Sequence, residues 1–64
     1  MRLSMYKIDI MMARNKMTVT NLAKRYGVSR TRMNAILKQR EVTPICAGRI
    51  AEALDTDVSE IITD

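Results

Sequence analysis

The stretch VTNLAKRYGVSRTRMNAILK, residues 19–38, decides the fold. Its apolar positions form two helical sets, Leu22, Ala23 and Tyr26 and then Met33, Ile36 and Leu37, each spaced to line one side of a helix. Thr18 precedes the first set and Ser29 the second, and both are residues whose side-chain oxygen caps a helix start. Gly27 supplies the left-handed conformation that a sharp helix stop requires, and only Val28 separates it from the next cap. Two short helices joined by a tight glycine-containing turn cross steeply, which is the geometry of a helix-turn-helix. That crossing asks for a small residue at Ala23, a permissive one at Gly27 and apolar filling at Leu22, Tyr26, Val28, Met33 and Ile36, and every one of these positions complies. A generic helical hairpin makes no such joint demand.

With Met33, Ile36 and Leu37 turned inward, the second helix presents Arg30, Thr31, Arg32, Asn34, Ala35 and Lys38 outward. This is a surface of donors, a short hydroxyl and one small apolar side chain. Such groups read base edges and grip phosphates in a DNA major groove.

The charge distribution points the same way. Residues 1–40 carry ten Lys and Arg against the single acid Asp9, a net of +9, whereas residues 41–64 carry Arg49 against six acids, a net of −5. The formal total of +4 hides this asymmetry. One part of the molecule attracts polyanions and the other does not. Charge alone does not separate DNA from RNA or an anionic membrane.

Outside the central block the pattern stays helical. Ser4 precedes Met5, Ile8, Met11 and Met12, which predict a first helix running to about Arg14. Lys38 to Val42 reads as a polar connection, and Thr43 followed by Pro44 opens a fourth helix with Ala47, Ile50, Ala51 and Leu54 inward. Asp57 and Glu60 stand at capping-box spacing and predict a short fifth helix bearing Val58, Ile61 and Ile62. The expectation is five short helices in one domain, residues 1–64, with no Phe or Trp and a core of Ile, Leu, Val, Met and Ala. A chain of 64 residues buries only about 60% of its unfolded surface, so that core must be economical.

The run from Ile8 to Ile62 resembles the Cro/cI-type (Xre-like) helix-turn-helix domain of phage repressors and small bacterial transcriptional regulators. The resemblance rests on Met17 and Thr18, on NLAKRYGVSR from Asn21 to Arg30, on VTP from Val42 to Pro44, and on RIAEALDTDVSEII from Arg49 to Ile62. It implies an all-α, lambda-repressor-like fold, two-fold symmetric binding to double-stranded DNA, and repression or genetic switching. By position, Arg30, Thr31, Asn34 and Ala35 fall where the family reads bases, and Ser29, Arg32 and Lys38 where it grips phosphate. Thr18 and Arg40 are further candidates for phosphate contact, while Ala23 and Gly27 serve the turn. Two departures stand out. Val19 occupies the start of the second helix, where the family often has a phosphate-binding Gln, and Gln39 and Arg40 replace a glycine-containing loop. Backbone N–H groups at that helix start remain able to hold a phosphate.

Other functions find little material. There is no His, the single cysteine has no intrachain partner, and no Gly-rich phosphate loop occurs. The expectation is no enzyme, no cofactor, no metal and no small-molecule substrate. Cys46 reads as a packing residue, Tyr26 as a wedge residue with its hydroxyl near the surface, and Met11, Met12, Met17 and Met33 as core. No signal-peptide run and no stretch near the roughly 20 apolar residues of a membrane span is visible. This predicts a soluble, cytoplasmic protein in a reducing compartment. A protein-interaction module of antitoxin-like or anti-repressor type, or an excisionase-like architectural DNA-binding protein of a mobile element, are the competing functions. A homodimer on DNA is expected, since one domain offers one half-site, and Ile10, Ile45 or the end of the fifth helix are the faces available for pairing.

Overall fold

Every helix start anticipated from a capping residue up to Thr43 is a helix start in the computed structural model, which describes residues 1–39 and 41–63. Helix α1 spans Met5–Asn15, α2 Val19–Tyr26, α3 Arg30–Leu37 and α4 Pro44–Ala53. Ser4, Thr18, Ser29 and Thr43 sit in extended backbone ahead of these helices, and each side-chain oxygen accepts a backbone N–H of the first turn. Thr18 does more than the sequence suggested. Its oxygen accepts from the Asn21 N–H while the Asn21 side chain accepts the Thr18 N–H at 3.0 Å, closing a reciprocal box that uses Asn rather than Glu.

The fifth helix is replaced by a single 3₁₀ turn, Val58–Glu60. Its bonds run from Glu60 N–H to Asp57 O and from Ile61 N–H to Val58 O, because the chain must deliver Ile61 to the core only four residues after Asp57. The expected box with Glu60 is also corrected. The Asp57 carboxylate accepts from the hydroxyl and the backbone N–H of Ser59 instead, and these bonds hold it below the usual carboxylate range. That contribution to stability is present above the ordinary carboxylate value and lost as pH falls through the lowered one.

Among the described residues the class is all-α, with two isolated β-bridges and no strand. Ile8, Leu22, Met33, Ile50, Leu54 and Ile61 are fully buried, so each of the four helices and Ile61, directly after the 3₁₀ turn, contributes to one core. No polar or charged side chain is buried among them. Helix α2 packs on α3 and α4, and α4 on the 3₁₀ turn. Two apolar assignments change. Met5 is 44% exposed, and Leu3 takes its place beside Ile8 and Met11; Val42, read as part of a polar connection, is buried.

Both changes follow from the first four residues. They run extended between two segments distant in sequence, bridging Arg2 to Glu41 and Leu3 to Ile62. Val42 N–H donates to Met1 O at 2.8 Å, Thr63 N–H to Arg2 O at 3.0 Å, and Ser4 N–H to Ile61 O at 2.8 Å. The arm thereby ties the connection after α3 to the chain's end. No helix among the described residues is long and apolar enough to cross a membrane.

Candidate nucleic-acid interface

The turn between α2 and α3 fixes the site. Gly27 holds φ 99° and ψ 32°, and both its N–H and that of Val28 donate to Ala23 O, at 2.8 and 3.0 Å. The left-handed residue reverses the chain so abruptly that α3 starts within three residues. Ala23 is buried where α2 passes the core, and Met33, Ile36 and Leu37 hold α3 by its inner side. The opposite side is set by elimination.

Arg30, Thr31, Ala35 and Lys38 are exposed there and Asn34 is half-buried beside them, linked by spacings of three and four residues that share a helix face. An eight-residue helix is about 12 Å long, comparable to the roughly 12 Å width of a major groove. Arg32 is placed differently. It borders a shallow depression of about 300 Å³ with Tyr26, Thr43 and Arg49, on the flank of α3 that faces α4. Ser29 is exposed at the α3 start, and its oxygen accepts the Arg32 N–H at 3.1 Å. The Thr18 hydroxyl is engaged on both sides by Asn21, accepting its N–H and donating to its side-chain oxygen at 2.9 Å. Val19 is half-buried next to a larger groove that Asn34 and Lys38 also border. Arg40 lies outside the described residues.

Two side chains that the sequence did not single out for this region now adjoin it. Arg2 lines the groove that Asn34 and Lys38 also border, because the N-terminal arm is pinned to the segments at Glu41 and Ile62. Arg49, the lone cation of the acidic half, lies 4.3 Å from the centre of the Tyr26 ring and donates to Tyr26 O at 3.1 Å. It satisfies a carbonyl at the end of α2 and braces the turn from the α4 side. Neither placement carries a local sequence signal, since both depend on contacts between distant segments.

Tyr26 and Cys46 form a further polar contact of the region. The Tyr26 hydroxyl donates to Cys46 Sγ at 3.4 Å, so it turns toward α4. That bond, followed by burial, pushes the phenol above its ordinary value, with Arg49 and Arg32 opposing. The stabilisation is complete below the unfolded tyrosine value and is lost as pH rises through the folded one. In a Tyr6→Phe background, where Tyr26 alone reports, Cys46→Ala is expected to lower the midpoint of the ultraviolet phenolate titration. An unchanged midpoint would show that the thiol does not set it.

Residues 7–64 match the family model described as the Cro/C1-type HTH DNA-binding domain. No curated protein and no solved structure matches the chain.

Proposed function

The chain belongs to the Cro/C1-type helix-turn-helix DNA-binding family, and from that premise we propose that it is a sequence-specific transcriptional regulator that acts as a repressor or genetic switch. The observation that carries this reading is the outward side of α3, where Arg30, Thr31, Asn34, Ala35 and Lys38 stand together on a helix without a single acid. In this reading Arg30, Thr31, Asn34 and Ala35 meet base edges, and Ser29, Arg32 and Lys38 meet phosphates, with Thr18 and Arg40 at the flanks. Since the Thr18 hydroxyl is occupied by Asn21, its end of α2 meets phosphate through backbone N–H groups. The exposed basic face favours DNA over a protein partner as the ligand.

The largest extent of the chain is 27 Å. Half-sites one helical turn apart lie about 34 Å from centre to centre, so one chain covers one half-site and a two-fold pair fills an operator. Ile10 is 42% exposed and Ile45 77% exposed, which leaves both faces accessible to a second copy.

The experiment begins with selection of preferred duplexes from a random pool. Arg30 lies in the first turn of α3, and its planar fork matches the two guanine acceptors of the major groove. Arg30→Ala is expected to cost about 1 to 3 kcal/mol on the preferred site and to relax selectivity at one base pair. Lys38, at the far end, should contact backbone; Lys38→Ala weakens all sequences alike and lowers the salt slope by about one unit. For the parent protein, log K should fall with log salt by about 0.9 per phosphate neutralised. A flat salt response, or a uniform loss for Arg30→Ala paired with altered base preference for Lys38→Ala, sinks this placement of α3.

A further inference from the structure

Between the N-terminal arm, α1 and the end of α3 lies an open groove of about 460 Å³, within the size range of small-molecule sites. Leu3 and Leu37 are buried at its base, while Met5, Met12 and Val19 line it with apolar surface that the fold leaves partly uncovered. Met5 alone is 44% exposed. Two thioether side chains give the lining an adaptable shape. Among the described residues the charged side chains at the groove are Arg2 and Lys38 against Asp9, an excess of one positive charge.

We infer that this groove binds an amphipathic monoanion, a small molecule with an apolar body and one carboxylate head, and that such a ligand competes with DNA. The apolar body lies over Met5, Met12 and Val19, where it displaces water from apolar surface that the fold leaves partly uncovered. The carboxylate is drawn to Arg2 and Lys38, where it forms charge-assisted hydrogen bonds. Competition follows from shared residues, because Asn34 and Lys38 border the groove and also belong to the outward side of α3. The ligand would therefore be an effector and not a substrate.

Decanoate is the probe, with decylammonium as its cationic counterpart. In methyl NMR of the whole chain without DNA, decanoate should move the signals of Met5, Met12, Val19 and Leu37 in a saturable way and leave those of Ile50 and Leu54 in place. Decylammonium should move them less. Arg2→Gln is expected to weaken decanoate roughly tenfold, the loss typical of one hydrogen bond to a charged group. Met5→Glu adds a negative charge at the groove's mouth, yet it sits in the first turn of α1, where an acid suits the helix dipole and folding is preserved. It should weaken decanoate at least as much.

In a second arm, decanoate should displace the selected duplex from the parent protein at concentrations that fail with Arg2→Gln. If the chain binds no duplex at all, the DNA reading falls while the methyl shifts still decide the groove. Three results overturn the inference: no saturable shift at these methyls, equal binding of decylammonium, or the same shifts appearing with protein concentration alone, which would assign the groove to a second copy.

Discussion

Met33→Ala is expected to remove a large part of the chain's stability and to lower its melting midpoint steeply. Met33 is completely buried and sits on the inner side of α3, in the same core as Ile8, Leu22 and Ile50. Truncating such a side chain costs about 2–5 kcal/mol, from lost transfer energy and the cavity left behind. A domain of this length has a total stability of about 3–10 kcal/mol at typical values per residue. The loss therefore consumes much of what holds the fold, and thermal denaturation followed by circular dichroism should show the midpoint falling by well over about 10 °C. Met33→Leu conserves volume and should cost less than about 1.5 kcal/mol. DNA affinity should follow the folded fraction, because Met33 faces away from the proposed interface. If Met33→Ala melts like the parent protein but loses DNA, the residue faces outward and α3 is rotated from the orientation described above.

That outcome depends on signals carried locally by the sequence. Ser4, Thr18, Ser29 and Thr43 are local devices, each bonding a backbone group three residues away, so the sequence order suffices to place four helix starts. The inward sides of α2, α3 and α4 are equally local, being set by spacing alone. What escaped is non-local or carried by backbone. The bond from Val42 N–H to Met1 O spans 41 residues and uses main-chain groups of a kind that nearly every residue possesses. Lys16 and Asp55 take the left-handed conformation without being glycine. Both are held by backbone bonds from the following residue, Met17 N–H to Met12 O and Thr56 N–H to Ala51 O, a closure that leaves no mark in composition.

The candidate site divides along the same line. Its outward residues on α3 follow from knowing which residues face in, and Arg30, Thr31, Asn34, Ala35 and Lys38 emerge together. The neighbours of each residue do not follow. Arg32 shares the polarity of that set but borders a depression with Tyr26 and Arg49, and Arg2 lines the same groove as Lys38 only because the arm is pinned by bridges to residues 41 and 62. The sequence places the Tyr26 hydroxyl only near the surface, and its partner there, Cys46, stands twenty residues away along the chain. Tertiary packing decides these partners, and a spacing rule along one helix contains no information about it.

Gly27→Val is expected to remove roughly 2–3 kcal/mol, the cost of forcing a β-branched residue into left-handed backbone. A Cβ built at Gly27 would meet nothing within 4 Å, so the penalty is conformational and not a clash. This fixes an order among substitutions that size alone would reverse. Asn tolerates positive φ better than Ala because its short polar side chain bonds locally, although it is the larger of the two. Stability should therefore decline from Gly27 to Asn, then Ala, then Val, as read from chemical denaturation at constant slope. Because the φ of 99° also sets the angle between α2 and α3, the folded fraction of the Val variant should bind its preferred duplex more weakly than the parent protein does. A ranking in which Ala exceeds Asn would mean that open space, rather than backbone torsion, governs the position. A Val variant as stable as the parent would mean that the chain reverses between the two helices without a left-handed residue, and the placement of α3 on DNA would fall with it.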